Sequence, residues 1–444
     1  MRNGLLLGID IGAGSLRAGL VRQDGRVIAS AAVPLTIVEP HRGWAELDPD
    51  VWWRAFVAAT GRVLRAMPRS ARVVGLCICG LTRTQVLLDR HGKPIGRAIL
   101  FRDRRAADIA RAMSGVTAFD AAARLAWIER HQPRRFARID RVVEPKDYLG
   151  YRLCGGPPVD AATPWQRVGI VQALPGALAR IAGVPLFAGA MDTWASAVGA
   201  GAVRAGQAYD VAGTSEAVGL LTPKKFAVPG LASLGWSENL QQVGGPTQAG
   251  ADCARWCHAL LRIAGPLDAA IERAGRIAPA AHQPLFLPYL AGERAPVWSS
   301  EVRGAFHGID RAGTPDDFLR AVMEGVAMAV RDILDHAQAA TGLRASELRV
   351  TGGGARSLAW CRIKADVTAL PVIRSAEAET GVVGAAMAAA VGLGIYADMT
   401  EAADHMVTRV QHFAPRPQYT ALLEARLANY RTMKAAALAM AVCA

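Results

Sequence analysis

The chain is 444 residues long, with 52% hydrophobic and 20% charged positions. That balance is ordinary for a globular protein and excludes a disordered tail or a disulfide miniprotein. The charge is less ordinary, since 51 basic against 38 acidic residues leave +13. Only six of the basic residues are Lys, however, and the 45 Arg are spread along the whole sequence, as a general preference for Arg produces without any polyanion partner.

The densest basic runs, 102–111 and 130–141, have helix-like spacing with interleaved Asp103, Asp108 and Asp140, and read as solvated helix faces. No zinc-finger, helix-turn-helix or aromatic-basic signature accompanies them. Length gives a soft expectation of two or three domains.

The first predicted element is LLLGIDIGAGSLRAGLV, two apolar runs around a Gly-rich turn, which reads as a β-hairpin. Asp10 ends its first strand, where a buried carboxylate needs a partner such as a cation. Gly12, Ala13, Gly14 and Ser15 leave the turn free to curl around an anion, and Arg17 adds charge. A plain hairpin with an incidental Asp fits the same residues.

An amphipathic helix is predicted over 51–65, then an apolar segment with Cys77 and Cys79 two apart, on one face if it is a strand. The interval 181–203 is apolar and small apart from Asp192. Asp192-Thr193-Trp194-Ala195 looks like a helix start, so a capping acid and a catalytic base both remain open. Near 199–206 the pattern restarts: QAYDVAGTSEAVGLL, residues 207–221, repeats strand, polar turn, strand, with Gly213-Thr214-Ser215 as a second phosphate cradle.

Cys253 and Cys257, beside His258 on a predicted helix, read as buried thiols rather than a metal site, because no second pair has zinc spacing. A long helix opens at Thr314-Pro315 and runs to about residue 340. Val350-Thr351 then enters Gly352-Gly353-Gly354 ahead of a helix around 360–370, where bare backbone and a helix N-terminus suit a flat anionic ligand. The uncharged stretch 380–397 is mostly Ala and Gly and reads as a buried helix.

Seven cysteines, odd in number and unevenly placed, with an N-terminal apolar run interrupted early by Asp10, give the expectation of a cytoplasmic protein. Neither GxxxxGK[ST] nor a strand-borne GxGxxG occurs.

In order, GIDIGAGSLRAGL, GWAELDPDVWW, FAGAMDTWASAVGAG, AGTSEAVG, FLPYLAGERAPVWSSEVRGAF and RVTGGGARSLAWCRIKADVTALP resemble the FGGY carbohydrate kinases, xylulokinase-like branch, across residues 4–395. The strongest piece is Gly304 to Ile309, then Asp317-Phe318, then Ala321 to Gly325.

The resemblance implies an α/β fold of two ribonuclease-H-like domains of the actin/hexokinase ATPase type, with ATP and a sugar in a cleft. It implies residues 1–203 as the sugar-side domain with the catalytic base, 204–432 as the nucleotide side, and 433–444 as a helical tail. Asp192 matches the general base and Asp10 the carboxylate for Mg²⁺. Ser15, Arg17, Gly213 and Thr214, with Gly12 and Gly14, match phosphate contacts, and Gly352, Gly353 and Gly354 match the adenosine-side loop. Thr82, Arg83, Asp192 and Thr193 match the sugar site.

The partner expected is a ketose, polyol or aldonate, with no nucleic acid and no membrane, and a homodimer as the assembly to test. The chain departs from the family pattern at several positions, among them Ala13 at the first phosphate loop, with the rest at the sugar side and in the N-terminal signature. Thr82-Arg83 replaces a Met-His pair, and an Arg there suits an acidic substrate. Met191 and Thr193 flank Asp192 in place of Gly and Asn. Ala121, Arg124 and Ala13 depart from the expected residues. The chain is short between Asp147 and Asp192, where 160–163 reads as a remnant, and between Arg105 and Phe119. Glu216 follows the second cradle and is expected to point away from it. The rival reading is a catalytically impaired relative that binds sugar or nucleotide in a regulatory role.

Overall fold

The computed structural model describes residues 4–113, 116, 120–156, 165–237 and 239–442. The stretch 160–163 and Phe119 lie outside them. The chain divides into two compact units: 1–199 with 381–408, and 200–380 with 409–444. The second boundary is one that contiguous reading of the sequence does not draw, because α7 (Thr380–Gly392) and the residues up to 408 return to the first unit, apart from Thr380.

The first unit is built on a six-stranded sheet. Its strands are β1 (Gly4–Ile11), β2 (Ser15–Val21), β3 (Val27–Pro34), β4 (Arg72–Gly80), β5 (Arg167–Ile170) and β6 (Pro185–Met191), in the order β3-β2-β1-β4-β6-β5. β1, β4 and β6 are parallel neighbours. β1 and β4 are almost wholly buried, as apolar runs covered on both faces should be.

One cover is α1 (Pro49–Ala66), capped by Asp48, which accepts from the Asp50 N–H at 2.9 Å and is followed by Pro49 in the first turn. Its buried face, Trp52, Ala55, Phe56, Ala59, Val63 and Leu64, has the 3–4 spacing of an amphipathic helix. α7 also packs against the sheet. A Cβ on Gly8 would lie 2.1 Å from the Val382 carbonyl oxygen, so only glycine lets that backbone approach.

The second unit has a seven-stranded sheet of order β9-β10-β8-β7-β11-β12-β13. These strands are β7 (Gln207–Ala212), β8 (Glu216–Thr222), β9 (Ala232–Ser237), β10 (Leu240–Pro246), β11 (Glu347–Thr351), β12 (Val372–Ser375) and β13 (Val410–Phe413). Both predicted hairpins form, as β1–β2 and β7–β8.

α5 (Pro315–Thr341) carries the predicted start as a full capping box between Thr314 and Asp317, and it ends at left-handed Gly342. α6 (Leu358–Thr368) follows the glycine loop, and α8 runs unbroken from Thr420 to Val442. No helix among the described residues is long and apolar enough to cross a membrane.

Candidate active site

In the first unit three parallel strands deliver the candidate residues to one edge. Register pairs Ile11 with Gly80 and Met191 with Gly80, so β1, β4 and β6 end level. Asp10 sits at the end of β1, Thr82-Arg83 just past β4, and Asp192-Thr193 just past β6 as α3 (Asp192–Gly199) begins. Two strand spacings, about 10 Å, separate the β1 and β6 ends. The carboxyl edge of parallel strands is where open α/β sheets bind ligands.

Asp10 is buried, and Arg17 stands opposite it in the β1–β2 register, with Nη1 3.7 Å from Oδ2. A Cβ on Gly381 would lie 2.4 Å from the same Oδ2, so glycine at the start of α7 leaves the carboxylate its room. The β1–β2 turn is pinned by Gly12 N–H to Ser15 O at 3.0 Å and Leu35 N–H to Gly14 O at 2.9 Å. Gly14 has open space where a side chain would be.

No group of three His, Cys, Asp or Glu able to hold a metal occurs among the described residues. A Mg²⁺ site built from one carboxylate, waters and substrate phosphates needs no such group, so Asp10 fits the ion. The Cys253–Cys257 pair is buried, and burial pushes the two thiols up to about 12 and about 11. His258 turns instead to the Gly265 carbonyl at 2.9 Å.

Asp192 is half-buried, and its Oδ1 accepts the Thr193 N–H at 2.8 Å. Burial raises its carboxyl above the ordinary value, the Thr193 bond opposes this, and the negative charge of Glu144 adds to the rise.

Arg83 is exposed and left-handed, at φ 56°. Its N–H donates to Glu144 Oε1 at 2.8 Å, and its carbonyl accepts from Arg124 Nη2. Arg124 is buried, donates from Nε to Gln85 Oε1 at 2.9 Å, and is pushed down to about 10 by burial. The Arg83 backbone is therefore held on both sides. Its guanidinium has no hydrogen bond or ion pair among the described residues.

Glu144 precedes α2 (Pro145–Cys154) and also pairs with Lys146 at 3.1 Å. The basic run 102–111 is not a uniformly solvated face. The Arg105 side chain is buried, bound to Asp103 at 2.8 Å and Glu46 at 2.6 Å, with its guanidinium 3.7 Å from the Trp44 ring centre. Two carboxylates and an aromatic face compensate the charge that burial would otherwise penalise.

The second unit brings its two loops together as well. β7 and β11 are parallel neighbours whose pairing runs up to Val211 opposite Thr351, so Gly213-Thr214-Ser215 and Gly352-Gly353-Gly354 share one edge. The first two amides of α4 (Ala251–Leu260) donate to the carbonyls of Gly213 and Thr214, each at 3.1 Å. Trans peptide geometry then turns the N–H groups of Thr214 and Ser215 the opposite way, and neither has a partner among the described residues.

Gly352 is left-handed at φ 84°, and a Cβ there would lie 2.6 Å from Ala212 O; Gly353 faces open space. Gly352 also lines an open cleft of about 340 Å³ with Ala355, Arg374, Ser375, Glu377 and Thr380.

Below the cradle, Lys364 of α6 reaches Asp210 and, at 2.7 Å, Glu216 Oε1. Glu216 is thus turned into the core, away from the turn. Sequence reasoning singled out neither this triad nor Glu144 nor Arg294. The acid directly before Pro145 is a helix-start signal that could have marked Glu144.

The FGGY family of carbohydrate kinases matches over both parts of the chain, its N-terminal domain over residues 5–163 and its C-terminal domain over 208–393. The xylulose kinase of Escherichia coli K12 is 30% identical over 416 residues, covering 82% of this chain and 85% of its own. The L-xylulose/3-keto-L-gulonate kinase of the same organism is 27% identical over 490 residues, covering 97% of this chain and 96% of its own. That alignment is longer than the 444-residue chain, so the relative carries segments absent here.

The crystal structure of xylulose kinase from Rhodospirillum rubrum superposes with a TM-score of 0.86 at 27% identity, over 98% of this chain and 99% of that one. The two-sheet α/β architecture is thus the actin/hexokinase ATPase fold of these enzymes. The chain belongs to the FGGY family of carbohydrate kinases and is a xylulose-kinase-like phosphotransferase with an alcohol group as acceptor.

Proposed function

We propose that the protein phosphorylates a sugar hydroxyl with ATP, using Asp192 as general base, and that its acceptor carries a carboxylate. The observation that carries the first part is the common edge of β1, β4 and β6, where Asp10 lies at the end of β1 and Arg83 and Asp192 lie just past the ends of β4 and β6.

Asp192, raised by burial and by Glu144, takes the proton of the sugar hydroxyl as the oxygen attacks the γ-phosphorus. The new O–P bond forms, the bond from γ-phosphorus to the bridging oxygen breaks, and ADP leaves with that electron pair. The proton remains on Asp192 until solvent removes it. Asp10 would hold Mg²⁺, which when bound supplies positive charge against the transferring phosphoryl group.

In the second unit, the Thr214 and Ser215 amides and the Thr214 hydroxyl are suited to nucleotide phosphates. The cleft beside Gly352 is suited to the adenosine. The assignment of residues 1–203 to the sugar and 204–432 to the nucleotide belongs to the same proposal, with residues 381–408 grouped with the first unit.

Arg83 supports the acidic acceptor. Its backbone is fixed on both sides while its guanidinium is uncommitted, which suits a bidentate carboxylate ligand. A relative with a sugar acid in its name, the L-xylulose/3-keto-L-gulonate kinase, points the same way. A homodimer and a cytoplasmic setting belong to the same proposal.

The test is Asp192→Asn. Turnover falls by about 10²–10⁴-fold while ADP affinity measured by calorimetry stays at the wild-type value. Retained turnover overturns the assignment.

A further inference from the structure

Arg294 lies in the loop between the strands Leu285–Leu287 and Ala305–His307, and is half-buried. Its Nη2 donates to Ser215 Oγ at 3.1 Å and to the Thr247 carbonyl at 2.6 Å, while its Nε is buried with no partner among the described residues. The neighbouring acid does not neutralise it by an ion pair. Glu293 spends its oxygens on the Thr247 hydroxyl at 2.7 Å and on the N–H groups of Gln248 and Arg294, each at 2.6 Å.

Those bonds tie the loop to the end of β10 and leave the guanidinium without a carboxylate among the described residues. Burial lowers the Arg294 pKa, with Glu293 opposing, which is the signature of a cation held partly out of water. Such a charge is costly unless an anion meets it. The groups beside it are the turn whose Thr214 and Ser215 amides also have no partner among the described residues.

We infer that Arg294 is a nucleotide-binding residue whose guanidinium contacts the phosphate chain at the Gly213–Ser215 turn, with Glu293 as the positioning residue that fixes its loop. The inference rests on reading that turn as the phosphate site and adds to it the fixed positive charge that the turn itself lacks. Two neutral amides and a hydroxyl orient an anion, whereas a guanidinium supplies both charge and a planar fork.

The experiment is calorimetry of the full chain with ADP and with adenosine, for the wild type, Arg294→Gln and Arg294→Lys, each checked by thermal melting. Arg294→Gln weakens ADP roughly ten- to hundred-fold, the range for a hydrogen bond to a charged group, and leaves adenosine unchanged. Arg294→Lys falls between the two because it keeps the charge and loses the fork.

An unchanged ADP affinity, or ADP and adenosine weakened in parallel, overturns the role of Arg294. If Arg294→Gln does not fold, Arg294→Lys decides by the same comparison. Wild-type protein that binds neither ligand overturns the nucleotide-site reading itself, a result distinct from a variant that binds as the wild type does.

Discussion

The N–H of Arg83 donates to the Glu144 carboxylate at 2.8 Å, joining the end of the β4 strand to the first residue before α2. Glu144 also raises the Asp192 carboxyl by its charge. One acid thus sets the backbone under the candidate specificity residue and contributes to the basicity of the candidate catalytic one.

Replacing Arg83 with Ala separates charge recognition from fold, because the backbone bonds on either side do not involve its side chain. The expected loss in kcat/KM is roughly ten- to hundred-fold for an aldonate or keto-acid acceptor, with neutral ketoses and polyols little affected. Steady-state kinetics across such a panel check this, and equal losses on acidic and neutral acceptors remove the sugar-acid reading.

Glu144→Gln tests the electrostatic link. Asp192 must be deprotonated to act, so activity falls as pH drops through its raised pKa, and the acid limb of kcat/KM lies above the ordinary aspartate value. Removing the Glu144 charge removes one cause of the rise, while the amide oxygen still accepts from Arg83. The limb moves to lower pH. A pH–rate profile on a neutral acceptor, which has no titration of its own, reads the shift directly.

The buried triad under the second cradle makes a prediction about stability. Burial and the Asp210 charge push Glu216 up to about 8, against an ordinary 4.5, with Lys364 opposing. Between those two values the folded protein keeps a proton that the unfolded chain has released, so stability falls as pH rises through that window. In Glu216→Gln the difference in melting temperature between pH 5 and pH 8 shrinks. Lys364→Met leaves two buried carboxyls without their cation and costs about 3–5 kcal/mol at pH 7, read by denaturant unfolding.

What the sequence disclosed depended on how local each signal is. Asp10 and the turn after it, the Gly213–Ser215 turn and the Gly352 loop were legible because an apolar run, a glycine turn and the next element lie within about twenty residues of each other. The Thr314 cap was legible for the same reason.

Contacts made across the chain were not. Lys364 meets Asp210 and Glu216 from about 150 residues away, a pairing that no spacing announces. Arg294 stands inside a segment whose resemblance was clear, yet its freedom depends on Glu293 bonding to Thr247 and Gln248. Arg105 looked solvated because interleaved acids suggest a surface helix, and it is buried because Trp44 and Glu46, from a segment about 60 residues away, close on it together with its own neighbour Asp103.

The return of residues 381–408 to the first unit has a consequence for how the protein comes into being. A ribosome releases the β1 and β2 strands early, but Val382, which packs on Gly8 and Gly19, emerges only after the whole second sheet except its last strand. During synthesis the first sheet waits with glycine-bare strands open to water and to other nascent chains. A fragment ending near residue 199 would share that exposure permanently, so the first unit cannot be cut out as one contiguous stretch of chain.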